Sequence, residues 1–237
     1  MDAFEEIRIS PLFDFSSSFN TGFLSDCTIY FGAKEDNPTE SVKAHVLILA
    51  NGSKFFYDSF TSQMREDKER VFYATVNPMN LLRRVLRYLY NGQISYEFDE
   101  TMALLKIATY YIIDDLKTEL QNQISSITDP NLYINLVNQC YDNQIEDQLP
   151  YLSQFIIKNY NSYDIQTLSD SYDVMAFAAI IKEVKLPVDK LIADVTAFLG
   201  DFEADQEELD ALNKLLFDYT TEDKKKAFAI SKPKWIK

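Results

Sequence analysis

Ser25-Asp26-Cys27-Thr28-Ile29-Tyr30, then Lys43-Ala44-His45-Val46-Leu47-Ile48-Leu49-Ala50, then Lys54-Phe55-Phe56-Tyr57-Asp58-Ser59-Phe60: these three stretches decide the fold. The first alternates weakly and carries β-branched and aromatic residues, as a short strand does. The polar run Gly32 to Ser41 reads as a loop, and Val42 resumes the sheet. The apolar residues that follow fit two compact helices.

Working outward, Val71 to Val76 is a β-branched and aromatic run bounded by Arg70 and Asn77, which predicts a third core strand. Before the first strand, Ile7-Arg8-Ile9 fits a short strand, and Phe15 to Phe19 fits at most a turn or two of helix. Pro11 and Ser16-Ser17-Ser18 are poor material for anything longer. Leu81, Leu82, Val85, Leu86 and Leu89 share one helical face, closed by Asn91-Gly92 as a C-cap. Leu104, Ile107, Ala108 and Tyr111 predict another helix, and Leu116, Leu120, Ile124 and Ile127 a third.

Beyond Asp114 no stretch reads as a strand. Asp129-Pro130 restarts a helix, with Asp as cap and Pro in the first turn and with Leu132, Leu136 and Cys140 inward. Further helices are expected at about 150–160 (Leu152, Phe155 and Ile156 inward), 174–181, 188–199 and 207–217. The class is therefore α+β: a small sheet, wholly before about residue 100, flanked by helices, then an all-α half of antiparallel helix pairs.

The 237 residues carry 37 Asp and Glu against 23 Lys and Arg, a formal net charge of −14. Such a surface repels nucleic acid and anionic lipid, so neither is expected as a partner. The exception is the end of the chain, where Lys224 to Lys237 holds six Lys and no acid, a short basic tail expected to be solvated. No apolar run approaches a membrane span, and Met1 to Asn20 lacks a signal-peptide pattern. The expected setting is intracellular, cytoplasmic or nuclear, with Cys27 and Cys140 reduced and buried.

Catalytic and metal chemistry find little to use. His45 is the single histidine, set between Ala44 and an apolar run. A zinc site needs several His or Cys, and a Ser/His/Asp or Cys/His device would have to use this one ring. His45 is expected to be a packed, hydrogen-bonded structural residue, largely buried, near Asp26, without metal. The paired acids (Asp114-Asp115, Glu207-Glu208) stand at helix starts, where the helix dipole favours negative charge. No phosphate-cradling glycine loop or calcium loop is present. No cofactor is expected, and the chain is not expected to be an enzyme.

The order and spacing of Asp26 before the first core strand, Ala44-His45 opening the next helix and the aromatic pair Phe55-Phe56 resemble a BTB (POZ) domain. The resemblance continues in Leu86-Arg87-Tyr88-Leu89-Tyr90-Asn91-Gly92-Gln93-Ile94, like that family's helix ending in a Tyr-x-Gly turn, and in the closing helices at 104–111 and 116–120. It covers about residues 20 to 125. The helices after Asp129, with Phe155-Ile156-Ile157-Lys158-Asn159-Tyr160, are similar to the BACK module that follows BTB in cullin adaptors. The resemblance implies three segments: a BTB/POZ domain at 1–127, a BACK-like helical domain at 128–218 and a basic tail at 219–237.

It also implies a role. BTB domains are interaction modules, and those that bind a cullin carry a hydrophobic-x-Glu element after the third helix. Met64-Arg65-Glu66 stands at that place after Phe60. The implied function is a substrate adaptor of a cullin-RING ubiquitin ligase, with Met64 and Glu66 facing the cullin, Arg65 between them, and an unknown protein as substrate. The alternative is a BTB self-assembly or scaffold protein that binds no cullin. Asp26 and His45 would belong to the polar architecture of the fold, in or near a charged pocket. A homodimer through the BTB domain is expected, although the start lacks the long helix many dimeric members have.

Overall fold

In the computed structural model the described residues are 7–8 (backbone), 14–62, 68–200 and 204–216. The expected basic tail, 219–237, lies outside them. The described residues fall into two compact units: one holds those up to Ile127 together with Gln139–Glu146, the other Thr128–Asn138 and those from Asp147 on.

The first unit is built on a three-stranded sheet of β2 (Cys27–Phe31), β3 (Ser41–Ala44) and β4 (Val71–Ala74), in the order β3-β2-β4. β2 runs antiparallel to β3, with Ile29 opposite Val42, and parallel to β4, with Ile29 opposite Phe72. As the central strand, β2 buries Cys27, Thr28 and Ile29 in succession, which is why its alternation is weak in sequence. Joining two parallel strands requires a crossover, supplied in part by α1 (Val46–Gly52) and α2 (Lys54–Thr61). A second, two-stranded sheet pairs β1 (Ile7–Arg8) with β5 (Gln93–Ile94).

Ser53 is the joint between α1 and α2. Its hydroxyl accepts from the Phe56 N–H, capping α2, and donates to the Tyr111 carbonyl. That bond draws α2 to the end of α4 (Thr101–Tyr110), where Phe56 stacks on Tyr111 with ring centroids 5.4 Å apart and Phe55 meets Tyr111 edge-on at 5.2 Å. α4 is buried on nearly every side, from Thr101 to Leu105 and again at Ile107 and Ala108. It is the core helix of the unit, where the sequence suggested one apolar face. α3 (Leu82–Asn91) buries Leu82, Val85, Leu86, Tyr88 and Tyr90 and ends at Gly92, whose φ of +66° and N–H bond to the Tyr88 carbonyl form the expected C-cap. α5 (Asp114–Ser126) buries Leu116, Leu120 and Ile124.

α6 (Pro130–Asp142) starts where expected, with the Asp129 carboxylate accepting the Asn131 N–H at 2.9 Å. Among the described residues of the second unit the regular elements are all helices: α7 (Leu149–Lys158), α8 (Ile165–Ser169), α9 (Val174–Val184), α10 (Val188–Leu199) and α11 (Gln206–Lys214), with short 3-10 turns between some of them. Its core includes the stacked pair Phe177–Phe198, centroids 3.8 Å apart. The buried Asp194 carboxylate accepts from the Tyr160 hydroxyl at 2.9 Å and faces the Lys190 ammonium at 3.5 Å, so the charge is partnered. Among the described residues no strand follows Ile94, and no helix is long and apolar enough to cross a membrane. Cys27 and Cys140 are buried, and no disulfide joins them.

Candidate protein-interaction surface

Like any α-helix, α1 leaves its first N–H groups without partners inside the helix, and two side chains predicted from the sequence stand at that end. Asp26, one residue before β2, accepts the Val46 N–H at 2.8 Å, so a carboxylate 20 residues upstream caps α1. His45 occupies the N-cap position without capping through its side chain. Its Nε2 lies 2.8 Å from the Phe23 carbonyl, which can only accept. The tautomer these partners select carries its proton on Nε2 and leaves Nδ1 to accept from the Tyr90 hydroxyl at 2.8 Å. The same hydroxyl accepts the His45 backbone N–H at 2.9 Å.

His45 is partly buried, with its Nε2 edge reaching out to the Phe23 turn. The hollow it lines is mainly apolar, with the Asp26 carboxylate among its polar groups. It is a groove of about 820 Å³ whose lining includes Phe15, Phe23, Leu24, Leu47 and Leu89 together with Asp26 and His45.

The apolar walls are unusually open. Phe23 is 67% exposed, Leu24 77% and Leu47 81%, the three highest values among the exposed large apolar side chains of the described residues. Leu24 also has φ +53°, a left-handed conformation that a leucine adopts at a cost. Phe15 is anchored beside them by its N–H bond to the Tyr90 carbonyl, and Phe19 packs edge-on against the Tyr90 ring at 5.1 Å. Clustered exposed apolar side chains of this size mark a surface made to be covered. The sequence carried a signal for it: Phe23-Leu24 sits between Gly22 and Ser25, two large apolar residues in the composition of a turn.

Burial also tunes the neighbouring acids. The Tyr90 hydroxyl is pushed up to about 12, chiefly by desolvation, and the Cys27 thiol likewise to about 12. Neither is poised as a nucleophile at neutral pH. Among the described residues no group of three or more His, Cys, Asp or Glu could hold a metal ion. Met64, Arg65 and Glu66, the expected cullin-facing element, lie outside the described residues.

Comparison with known proteins agrees with this architecture. The family model of the BTB/POZ domain matches residues 15–128. Kelch repeat and BTB domain-containing protein 2 of ectromelia virus is 30% identical over 146 residues, 61% of this chain and 25% of that protein. Human BTB/POZ domain-containing protein 6 is 33% identical over 98 residues, 41% of this chain and 18% of its own length. Human BTB/POZ domain-containing protein 3 is 28% identical over 123 residues, 52% of this chain and 23% of its own length. The chain thus spans about a quarter or less of the length of these relatives. Residues 15–128 of this chain are a BTB/POZ domain, a protein-interaction module.

Proposed function

We propose that the chain is a non-catalytic intracellular adaptor whose BTB domain pairs with a second copy and also binds a cullin, bringing an unknown protein substrate to a RING ubiquitin ligase. The observation that supports self-association most directly is the exposed set of Phe23, Leu24 and Leu47 around one groove, where covering the side chains removes a large apolar area from water. The cullin part rests on Met64 and Glu66 in sequence, an apolar anchor beside an acid that would fix register, with Arg65 unspecified between them. In this reading 1–127 is the BTB domain, 128–218 a BACK-like helical domain and 219–237 a basic tail.

The test is binding of the full chain to the isolated N-terminal domain of a cullin, run beside a mass measurement in solution. Binding is expected, and Met64→Ala combined with Glu66→Ala is expected to weaken it about thirtyfold, the loss of an interfacial anchor, while Arg65→Ala changes it little. A dimer that binds no cullin would instead favour the scaffold reading. A double variant that binds as tightly as the parent would remove Met64 and Glu66 from the interface.

A further inference from the structure

The second unit carries an interaction surface of its own. Between α9, the start of α10 and α11 lies an open groove of about 860 Å³. Its floor is apolar and low. Ala178, Ala179 and Ala211 leave room where larger side chains would fill it, and Leu186, Leu191 and Leu215 close the base. Met175 stands half-exposed at one end, a flexible and polarisable side chain suited to adapting to a partner. Along α9 the spacing Met175, Ala178-Ala179, Lys182 is that of one helical face.

Charge says what would lie there. Lys182 and Lys185 stand on one wall and Lys214 on the other, all three exposed, and among the described residues no carboxylate lines the groove. The ion pairs found among the described residues involve none of them. In a chain with a formal charge of −14, three ammonium groups without an ion-pair partner among the described residues, around one apolar floor, are a local reversal of sign. One acyl carboxylate could answer one or two of them. Cations on both walls of an open groove call for several carboxylates spread along an apolar ridge.

We propose that this groove docks an acidic amphipathic helix of a separate protein, its apolar face on the alanine floor and its carboxylates against Lys182, Lys185 and Lys214. The docking is independent of cullin binding by the first unit and stands whether or not that occurs.

The probe is a fluorescein-labelled helical peptide of about 15 residues, with leucines at i, i+3, i+4 and i+7 and glutamates beside them. Its anisotropy is titrated with the full chain. The acidic peptide is expected to bind, more weakly as salt rises, and at least about tenfold more tightly than the same peptide with lysines for glutamates. Lys182→Glu, Lys185→Glu and Lys214→Glu together are expected to weaken it about tenfold or more. Ala179→Arg, at an exposed helical position, should block it with circular dichroism unchanged. Failure of the parent to bind the acidic peptide, or undiminished binding by the variants, would overturn the proposal. So would saturable, lysine-dependent binding of dodecanoate without peptide binding, which would make the ligand an acyl chain. Loss of self-association on Ala179→Arg would overturn it too, in favour of a second copy as the occupant.

Discussion

The hydroxyl of Tyr90 serves two atoms of His45 at once, accepting its backbone N–H at 2.9 Å and donating to its Nδ1 at 2.8 Å. One group at the end of α3 thereby fixes both the chain entering α1 and the ring that reaches the Phe23 carbonyl. The sheet, the first helix and the exposed turn are tied through this one oxygen.

Tyr90→Phe should therefore cost about 1–3 kcal/mol, because two polar atoms of His45 lose their partner while the ring packing survives. Urea unfolding followed by circular dichroism checks it. A loss under about 0.5 kcal/mol, the range of an ordinary surface change, would show that water replaces the hydroxyl without penalty.

Leu24→Asn with Leu47→Glu should separate the dimer proposed above into monomers without unfolding it. Asn tolerates the left-handed backbone at position 24 better than Leu, and position 47 faces solvent, so stability should stay within about 0.5 kcal/mol. Sedimentation of parent and variant reads the result. A dimer that persists would place the contact on another surface.

Gly92→Ala should lower stability by about 1 kcal/mol or a little more, since a Cβ is strained at φ +66° and the N–H bond to Tyr88 holds the turn there. Thermal unfolding measures it, and an unchanged melting temperature would mean that the C-cap relaxes freely.

Raising the pH above 10 should weaken the fold. Burial, the largest cause for each, pushes Tyr88 and Tyr90 up to about 12 and raises Tyr111 further, against about 10 in an unfolded chain. Below pH 10 both states keep these protons and the stabilisation is complete. Between 10 and 12 the unfolded chain releases them and the folded one does not, so stability falls as pH rises. Absorbance at the phenolate band should show Tyr88, Tyr90 and Tyr111 holding their protons past pH 10 for as long as the fold survives. One unbroken titration of all tyrosines near pH 10 would contradict this.

Periodicity carried much of the fold into the sequence. The Leu81–Leu86 face, the Asn91-Gly92 stop and the Asp129-Pro130 start are local signals set by neighbouring residues, and they stand in the structure where they were read. What local pattern does not encode is strand direction. Thr28 to Phe31 and Val71 to Ala74 look alike whether they run parallel or antiparallel, and only the intervening chain decides. The site was half legible for the same reason. His45 and Asp26 could be picked out, but the Tyr90 partner is 45 residues from His45. An exposed Leu47 also reads, residue by residue, like a core leucine.

The parallel pairing of β2 with β4 also sets a sequence of events as the chain leaves the ribosome. β3 follows β2 after a loop of nine residues, 32–40, and can zip against one side of it early. The other side of Ile29 must wait for Phe72, more than 40 residues later. During that interval the newborn sheet presents a bare apolar edge, the form in which nascent chains stick to one another. Crowding and synthesis rate should then govern the yield of soluble protein more than the final stability does, and a slower refolding step should belong to the arrival of β4.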